Sequence, residues 1–442
     1  MSNRSAPLET LLGTLDRVID PRVGIVRQVE IVPREAGSPD FFHVAAKACD
    51  TAAFTRQANF GATGGASRDL EIAVAKAVGE AVERYCSAIY DFEELPLHPR
   101  SSAPFACTAP GDFALYSDAQ YEQPNFPWAR FTDDTPVRWT PGVDATTGEP
   151  CHVPAAMVFM PYHYYTDTGE APIVQPISTG LACHVGHARA AISGICEVIE
   201  RDAFTIAWQA GLGCPQLRVE TLSDANYDLV ERFERTGSVV TLLDITTDIG
   251  VPTILAALQS EAQACPAFVV AASADLDPEH AVRKSLEELA HTRRYSQQIK
   301  TRMPRLDADK LYEVADQFDH LNFWCDHANA SRAEFLLRSA VRSDFDDLSN
   351  LATGNPESDL GVLIERIHAV GNRVVLCDLT TPDIADLGFS VARAVIPGCN
   401  PLFMGFPNRV LDGQRLRDVP KKLGLKSALT DNNDIGLPHP YP

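Results

Sequence analysis

The chain carries apolar residues at two recurring spacings, and these separate helices from strands. Two segments have helical spacing with an acidic face: Lys76-Ala-Val-Gly-Glu80-Ala-Val-Glu83-Arg84 and Ser193-Gly-Ile-Cys-Glu197-Val-Ile-Glu200-Arg201. On a helix, residues i and i+3 lie on one face. Each ExxER motif therefore sets two carboxylates beside a stripe of Ala, Val, Ile and Leu that would normally face a core. The first helix is read from Ser67, behind a glycine-rich loop at 59–66, with Ser67-x-x-Leu70-Glu71 as its N-terminal cap. The second runs from about His187 to Trp208 behind another loop, 175–186. Loop-then-helix thus occurs twice, a weak internal repeat of supersecondary structure rather than a solenoid period. A third helix spans Pro278 to about Gln298 and carries Glu287, Glu288, His291, Arg293 and Arg294. Residues 8–19 form a short helix that stops at Asp20-Pro21, because the residue before proline disfavours helix. Residues 300–360 read as helical and charged.

Strand composition marks 24–32, 41–46, 238–243, 253–258, 268–273, 374–379 and 389–396. Residues 153–165 are aromatic and read as extended. Residues 93–150 are rich in Pro, Gly, Asp and Thr with little periodicity, which predicts long loops with short strands. The end from Gly413 reads as loop and finishes on Pro438-His439-Pro440-Tyr441-Pro442. By composition such an ending is a disordered, polyproline-like tail.

Charge narrows the function classes. Net charge is −21, which argues against binding a nucleic-acid backbone, a task that needs clustered Lys and Arg. The N-terminus has Glu9 and Asp16 where a signal peptide needs an apolar stretch. No run of 18 apolar residues is present, so no transmembrane helix is expected. The eleven cysteines include no CxxC pair and are read as buried thiols of a reducing cytosol. A cytoplasmic protein of two or three domains fits this length.

Candidate chemistry centres on the acidic faces. A single ExxER is commonly a solvated surface pair worth a few tenths of a kcal/mol. Two copies, both behind Gly/Ser/Thr loops and both set in apolar helices, point to a metal site. Four carboxylates at the edge of a core are costly unless a cation neutralises them, and hard oxygen ligands suit Mg²⁺. Common nucleotide motifs are missing: there is no GxxxxGK[ST], no GxGxxG after a strand and no kinase catalytic loop.

These motifs, in this order, resemble the YcaO superfamily, and within it the cyclodehydratases that build thiazoles and oxazoles in ribosomally made peptides, bacteriocins included. The first glycine-rich loop and SRDLEIAVAKAVGEAVERY resemble the family's first ATP/Mg motif. PISTGLACHVGHARAAISGICEVIERDAF resembles the second, in its Sx3ExxER form, and SADLDPEHAVRKSLEELAHTRR the third. LLDITTDIGVPTILA, VARAVIPG and NPLFMGF resemble further segments, and the closing PxPxP is most particular to peptide cyclodehydratases. The resemblance covers roughly residues 10–442. Ala66 stands near a position where relatives carry Lys, and His291 where they often carry Gln.

The resemblance implies an α+β protein of the YcaO fold, with mixed, largely antiparallel sheets flanked by the ExxER helices. It divides the chain into an N-terminal segment, 1–58, packed on a YcaO domain, 59–442, that ends in the tail 438–442. It implies a cyclodehydratase using ATP and Mg²⁺ to make azolines from Cys, Ser or Thr, with phosphorylation of the backbone amide oxygen. Glu80, Glu83, Glu197 and Glu200 would hold the metal. Ser193, Arg201, Arg293, His291 and Arg84 would meet the nucleotide, and the Pro442 carboxylate would take a proton as catalytic base. The implied partners are the precursor peptide and a separate E1-like leader-binding protein, since neither the length nor the zinc cysteines of a fused leader-binding domain are present. A flavin dehydrogenase and a homodimer stay open as further partners; nucleic acid and membrane are not expected. Two other readings stay open: an enzyme of the same fold that makes a thioamide or amidine, and a non-catalytic docking subunit.

Overall fold

The computed structural model describes residues 5–430 and 433–442. Residues 1–4, part of the expected N-terminal segment, and residues 431–432 lie outside the described residues. Strands β1 (Val26–Val32), β2 (Phe42–Ala48) and β3 (Ala62–Ser67) pair antiparallel in that order. Helix α1 (Leu70–Ser87) follows at once, started by the Asp69 side chain, which accepts from the Glu71 N–H. The apolar stripe of α1, including Ala77, Val78, Ala81 and Val82, packs with Val44 and Ala46 of β2 in one buried cluster. That burial, rather than intrinsic propensity, fixes the helix.

The second loop-then-helix unit repeats the plan. Strand β4 (Leu181–Val185) turns at Gly186 into α2 (His187–Gln209). The helix comes very close to the chain before β4: a Cβ on Gly194 would sit 2.5 Å from the Gly180 carbonyl oxygen. After α3 (Asp224–Glu234) come β5 (Ser238–Asp244), β6 (Thr253–Ser260) and β7 (Phe268–Ala274), an antiparallel meander. Short strands at 216–217 and 342–343 extend that sheet to five, the last pair running parallel. Strand β6 is buried on both faces: Leu255 and Ala257 join Phe268, Phe204 and Trp208 on one side, and Ile254, Ala256 and Leu258 meet the helices on the other. Its near-continuous apolar run follows from that position.

Helix α4 (Pro278–Arg302) has Asp277 as N-cap and proline at its first position, and packs on β6 and β7. Helices α5 (Gln317–Cys325) and α6 (Pro356–Ala369) precede β8 (Val375–Asp378) and β9 (Phe389–Val395). The fourth sheet runs 143–144, β8, β9, β4, all antiparallel. Helix α2 lies on β9 and β4 and also touches β7, so it joins the two larger sheets. The α+β architecture with largely antiparallel sheets is therefore as expected.

Several local expectations are corrected. The glycine-rich segment is not a loop but β3. Glycine is needed there for close approach: a Cβ on Gly65 would sit 2.4 Å from the Ala73 carbonyl oxygen, and one on Gly64 would sit 2.7 Å from His291 Nε2. Ser67 does not cap α1 at N3; its hydroxyl donates to Glu287. The aromatic stretch 153–165 is a two-residue strand and a short 3₁₀ turn followed by irregular chain. Residues 300–360 break into α5 and short turns rather than continuous helix. The end is not all loop: α7 (Gln414–Lys422) packs Leu416 and Val419 into the core that holds Phe204 and Trp208. All eleven cysteines are free thiols, and no helix among the described residues is long and apolar enough to cross a membrane.

Candidate active site

The two ExxER helices bring their motifs face to face. In each, one arginine answers both carboxylates of its own motif. Arg84 lies 3.4 Å from Glu80 and 3.4 Å from Glu83. Arg201 lies 3.7 Å from Glu197 and 3.3 Å from Glu200. Glu83 on α1 feels the charge of Glu197 on α2, and Glu197 feels Arg84 and Glu80 in return. Burial pushes the Glu83 carboxyl well above the ordinary range, and the neighbouring carboxylates push it further. Burial also raises Glu197, and raises Glu200 to about 7. The peptide N–H of Gly64 donates to Glu80, 3.2 Å away.

A third guanidinium enters from β9. Arg393 is buried, and one of its nitrogens donates to the Ile177 carbonyl at 2.8 Å. Its Nε and Nη1 have no hydrogen-bond partner. Burial lowers its pKa to about 10, against the pull of Glu197 and Glu83. Spacing and resemblance assign this residue no role, although a lone arginine in the apolar run VARAVIPG was the available signal.

The remaining walls come from α4 and the tail. Lys76, one turn before Glu80, lies 3.0 Å from buried Glu287 and 3.1 Å from Glu288. Lys284 lies 3.6 Å from Asp275, and its charge reaches Glu200. His291 faces Gly64 and bears on Glu288. Ser193 is half-buried one turn before Glu197, in the i, i+4 relation. Arg293 is not brought to this group. It sits two residues past His291, hence on another side of α4, and its Nη2 is 3.7 Å from the Cys265 sulfur.

The tail is packed, not loose. The Trp208 indole N–H donates to the Leu437 carbonyl (3.3 Å) and that of Trp324 to the Pro438 carbonyl (3.0 Å). The His439 ring stacks on His320 at 4.0 Å. Tyr441 is buried; its ring lies 4.4 Å from Phe204 and under the Arg201 guanidinium at 4.3 Å. Its hydroxyl donates to Glu200 and accepts from the Ala272 N–H at 3.2 Å. Pro442 follows, half-buried.

The donor chemistry fits Mg²⁺: four carboxylates on two helices, three of them with pKa values raised by burial and mutual repulsion, lack only a cation to hold them ionised. Among the described residues no three acidic, histidine or cysteine side chains are gathered closely enough to hold an ion. Each carboxylate pair turns instead to its own arginine, the nearest positive charge on the chain.

The chain is similar to known proteins in sequence and in fold. Residues 64–400 match the model of the YcaO family, described as a cyclodehydratase that binds ATP and Mg²⁺. An uncharacterized protein of Methanothermobacter thermautotrophicus is 28% identical over 421 residues, 93% of this chain and 97% of that one. In structure the chain is similar to a heterocyclase solved in complex with substrate and cofactor, with a TM-score of 0.82 and 20% identity. That match covers 100% of this chain, which spans 58% of the heterocyclase's length. It is also similar to YcaO from Methanopyrus kandleri bound with AMPPCP and Mg²⁺: TM-score 0.64, 21% identity, 90% of this chain and 92% of that one.

Proposed function

This chain belongs to the YcaO family of ATP- and Mg²⁺-binding proteins, and from that premise we propose that it is a peptide cyclodehydratase forming thiazoline or oxazoline rings. The observation that carries the reading is the pair of opposed ExxER motifs, closed on one side by Tyr441. In the reaction, the side-chain sulfur or oxygen of Cys, Ser or Thr adds to the preceding carbonyl carbon and gives up its proton to a base. The carbonyl π-electrons settle on oxygen, which takes the terminal phosphoryl group of ATP and releases ADP. Departure of phosphate, with loss of the amide proton, leaves the C=N bond of the ring.

The chain's own part is positioning and charge neutralisation, the main work of phosphoryl-transfer sites. Glu80, Glu83, Glu197 and Glu200 would hold Mg²⁺, which when bound shields the phosphate charge. Ser193 is a candidate contact to the nucleotide, together with Arg84 and Arg201 once a cation frees these arginines from the carboxylates. Lys76 and His291 stand beside Glu80 and add to that side of the site. Arg293 is a weaker candidate, since it faces Cys265. The tail fixes Glu200 through Tyr441, and Pro442 at its end remains the proposed proton acceptor. The precursor peptide and an E1-like leader-binding protein are the proposed partners.

The test is mass spectrometry of a precursor peptide incubated with the chain, the E1-like protein, ATP and Mg²⁺. Loss of one water per Cys, Ser or Thr supports the reading. Gain of sulfur in place of oxygen would replace it with thioamide formation on the same site. No change in mass, with no ATP consumed, would leave the docking-subunit reading.

A further inference from the structure

Beside the carboxylates lies a cleft with Arg393 in its lining. Its walls are apolar, built from Leu115, Tyr116, Val174, Ile177, Leu402 and Phe403 among others. Several of the polar groups that border it are engaged elsewhere. The Gln175 amide oxygen accepts from the Met404 N–H at 2.9 Å. The Asn408 amide donates to the Met404 carbonyl and accepts from the Trp128 indole. The Asn400 amide donates to Asp202 at 2.9 Å, while its oxygen, like two nitrogens of Arg393, has no hydrogen-bond partner. What enters the cleft is therefore met mostly by hydrocarbon, with Arg393, whose Nε and Nη1 have no protein partner, in the lining. A buried guanidinium with two nitrogens lacking partners is a costly arrangement unless a ligand acceptor completes it.

Two features of place say what that ligand is. Arg393 lines the cleft, and the carboxylates of Glu197 and Glu83 both act on its charge. Val198, the residue after Glu197, lines the same cleft. A group that meets Arg393 is therefore next to the ExxER site, while the part behind it is apolar. A peptide residue has this shape: a carbonyl oxygen with an apolar side chain leading away from it. A purine fits this lining less well, since most of its several polar ring edges would lie against hydrocarbon.

We propose that the cleft receives the side chain of the residue immediately before the one that cyclises, and that Arg393 donates to that residue's carbonyl oxygen. This rests on the cyclodehydratase reading, because only there is that oxygen the one that reacts. Arg393 then stabilises the charge that builds on the oxygen as the nucleophile adds, in a site shielded from water. The peptide preference follows: a large apolar residue before the ring-forming Cys, Ser or Thr.

Isothermal titration calorimetry of the full chain with capped peptides Gly-Gly-X-Cys-Gly-Gly tests this without turnover. With X as Leu or Phe, binding is expected to be at least about tenfold tighter than with Gly or Asp, in line with burial of one apolar side chain. Met157 is a half-buried residue of the cleft wall. Met157→Trp is expected to erase the Leu advantage and leave Mg²⁺-dependent binding of a fluorescent ATP analogue unchanged. Arg393→Lys is expected to weaken all four peptides by a similar factor, with its melting temperature as the folding control. Equal affinity for the four peptides overturns the proposal, and that arm uses the unmodified chain. Weakened nucleotide binding by Met157→Trp in the absence of peptide also overturns it, assigning the cleft to the nucleobase. If the Leu preference holds but no precursor loses water, the ring-forming reading falls and the cleft remains a peptide site.

Discussion

Replacing Glu200 with glutamine isolates the electrostatic cost of the metal-free site. Glu200 is 13% exposed, and burial raises its pKa from 4.5 to about 7. The native chain therefore holds this proton more tightly than the unfolded chain does. Stability from this group is full below about pH 4.5 and is lost as pH rises through about 7. At about 1.4 kcal/mol per unit, the loss is about 3 kcal/mol. An unfolding entropy of about 2 cal/mol/K for each of the 442 residues turns that into about 3 °C of melting temperature. Glutamine keeps an oxygen for the Tyr441 hydroxyl but cannot titrate. Thermal melts in chelator between pH 5 and 8 are therefore expected to show a decline in the wild type that Glu200→Gln lacks. Mg²⁺ with an ATP analogue, by favouring the ionised carboxylate, is expected to flatten the wild-type decline. Parallel melting curves for the two proteins across this range would refute the claim that Glu200 is ionised at a cost.

Four further outcomes are expected. Tyr441→Phe keeps the ring between Phe204 and Arg201 but removes the hydroxyl bond to Glu200; steady-state assays are expected to show about a ten- to hundredfold fall in peptide-dependent rate, the value of a hydrogen bond to a charged group. Glu83→Ala and Glu197→Ala are each expected to abolish Mg²⁺-dependent ATP hydrolysis, measured by phosphate release, with no loss of melting temperature. Asp202→Ala removes the fully buried carboxylate 2.8 Å from Arg415 and leaves that guanidinium only the Asp248 carboxylate, at 2.9 Å; it is expected to cost about 1.5–3 kcal/mol, the value of a hydrogen bond to a charged group, read by denaturant unfolding. Addition of the E1-like partner is expected to raise peptide turnover by concentrating the substrate at the site; full turnover by the chain alone would exclude that role.

The strands and the three long helices were legible because their apolar periods are strong and their cores are extensive. The glycine-rich β3 was not, since Gly64 and Gly65 carry no side chain to show the period of a strand; nor was β4, which lies inside the segment 175–186 expected to be a loop. Helix α7 was hidden by its charged residues; it is held by burial of Leu416 and Val419 and by the Arg415–Asp202 pair. Within the site, both ExxER motifs and His291 could be read from spacing and resemblance. Arg393 and Tyr441 could not, because their roles depend on partners 196 and 241 positions away, Glu197 and Glu200. Arg293 shows the converse: it belongs to a motif by sequence, yet the turn of α4 directs it to Cys265.

The two halves of the site are chemically alike and physically unlike. Each offers two carboxylates and an arginine on a helix that follows a short strand. Around the first motif, Glu80 keeps about a third of its side chain exposed, and its protein partners are a peptide N–H and Arg84. Around the second, Tyr441 covers Arg201 and binds Glu200, and Trp208 and Trp324 hold the chain that brings Tyr441 there. The repeat supplies symmetric ligands, and the tail removes the symmetry. An incoming ion and nucleotide therefore meet one pair held by its own arginine and a peptide N–H, and one pair further oriented by the tail. Ordering the second pair in advance lowers the entropy lost on binding, and it places the burden of that order on residues at the opposite end of the chain from the first motif.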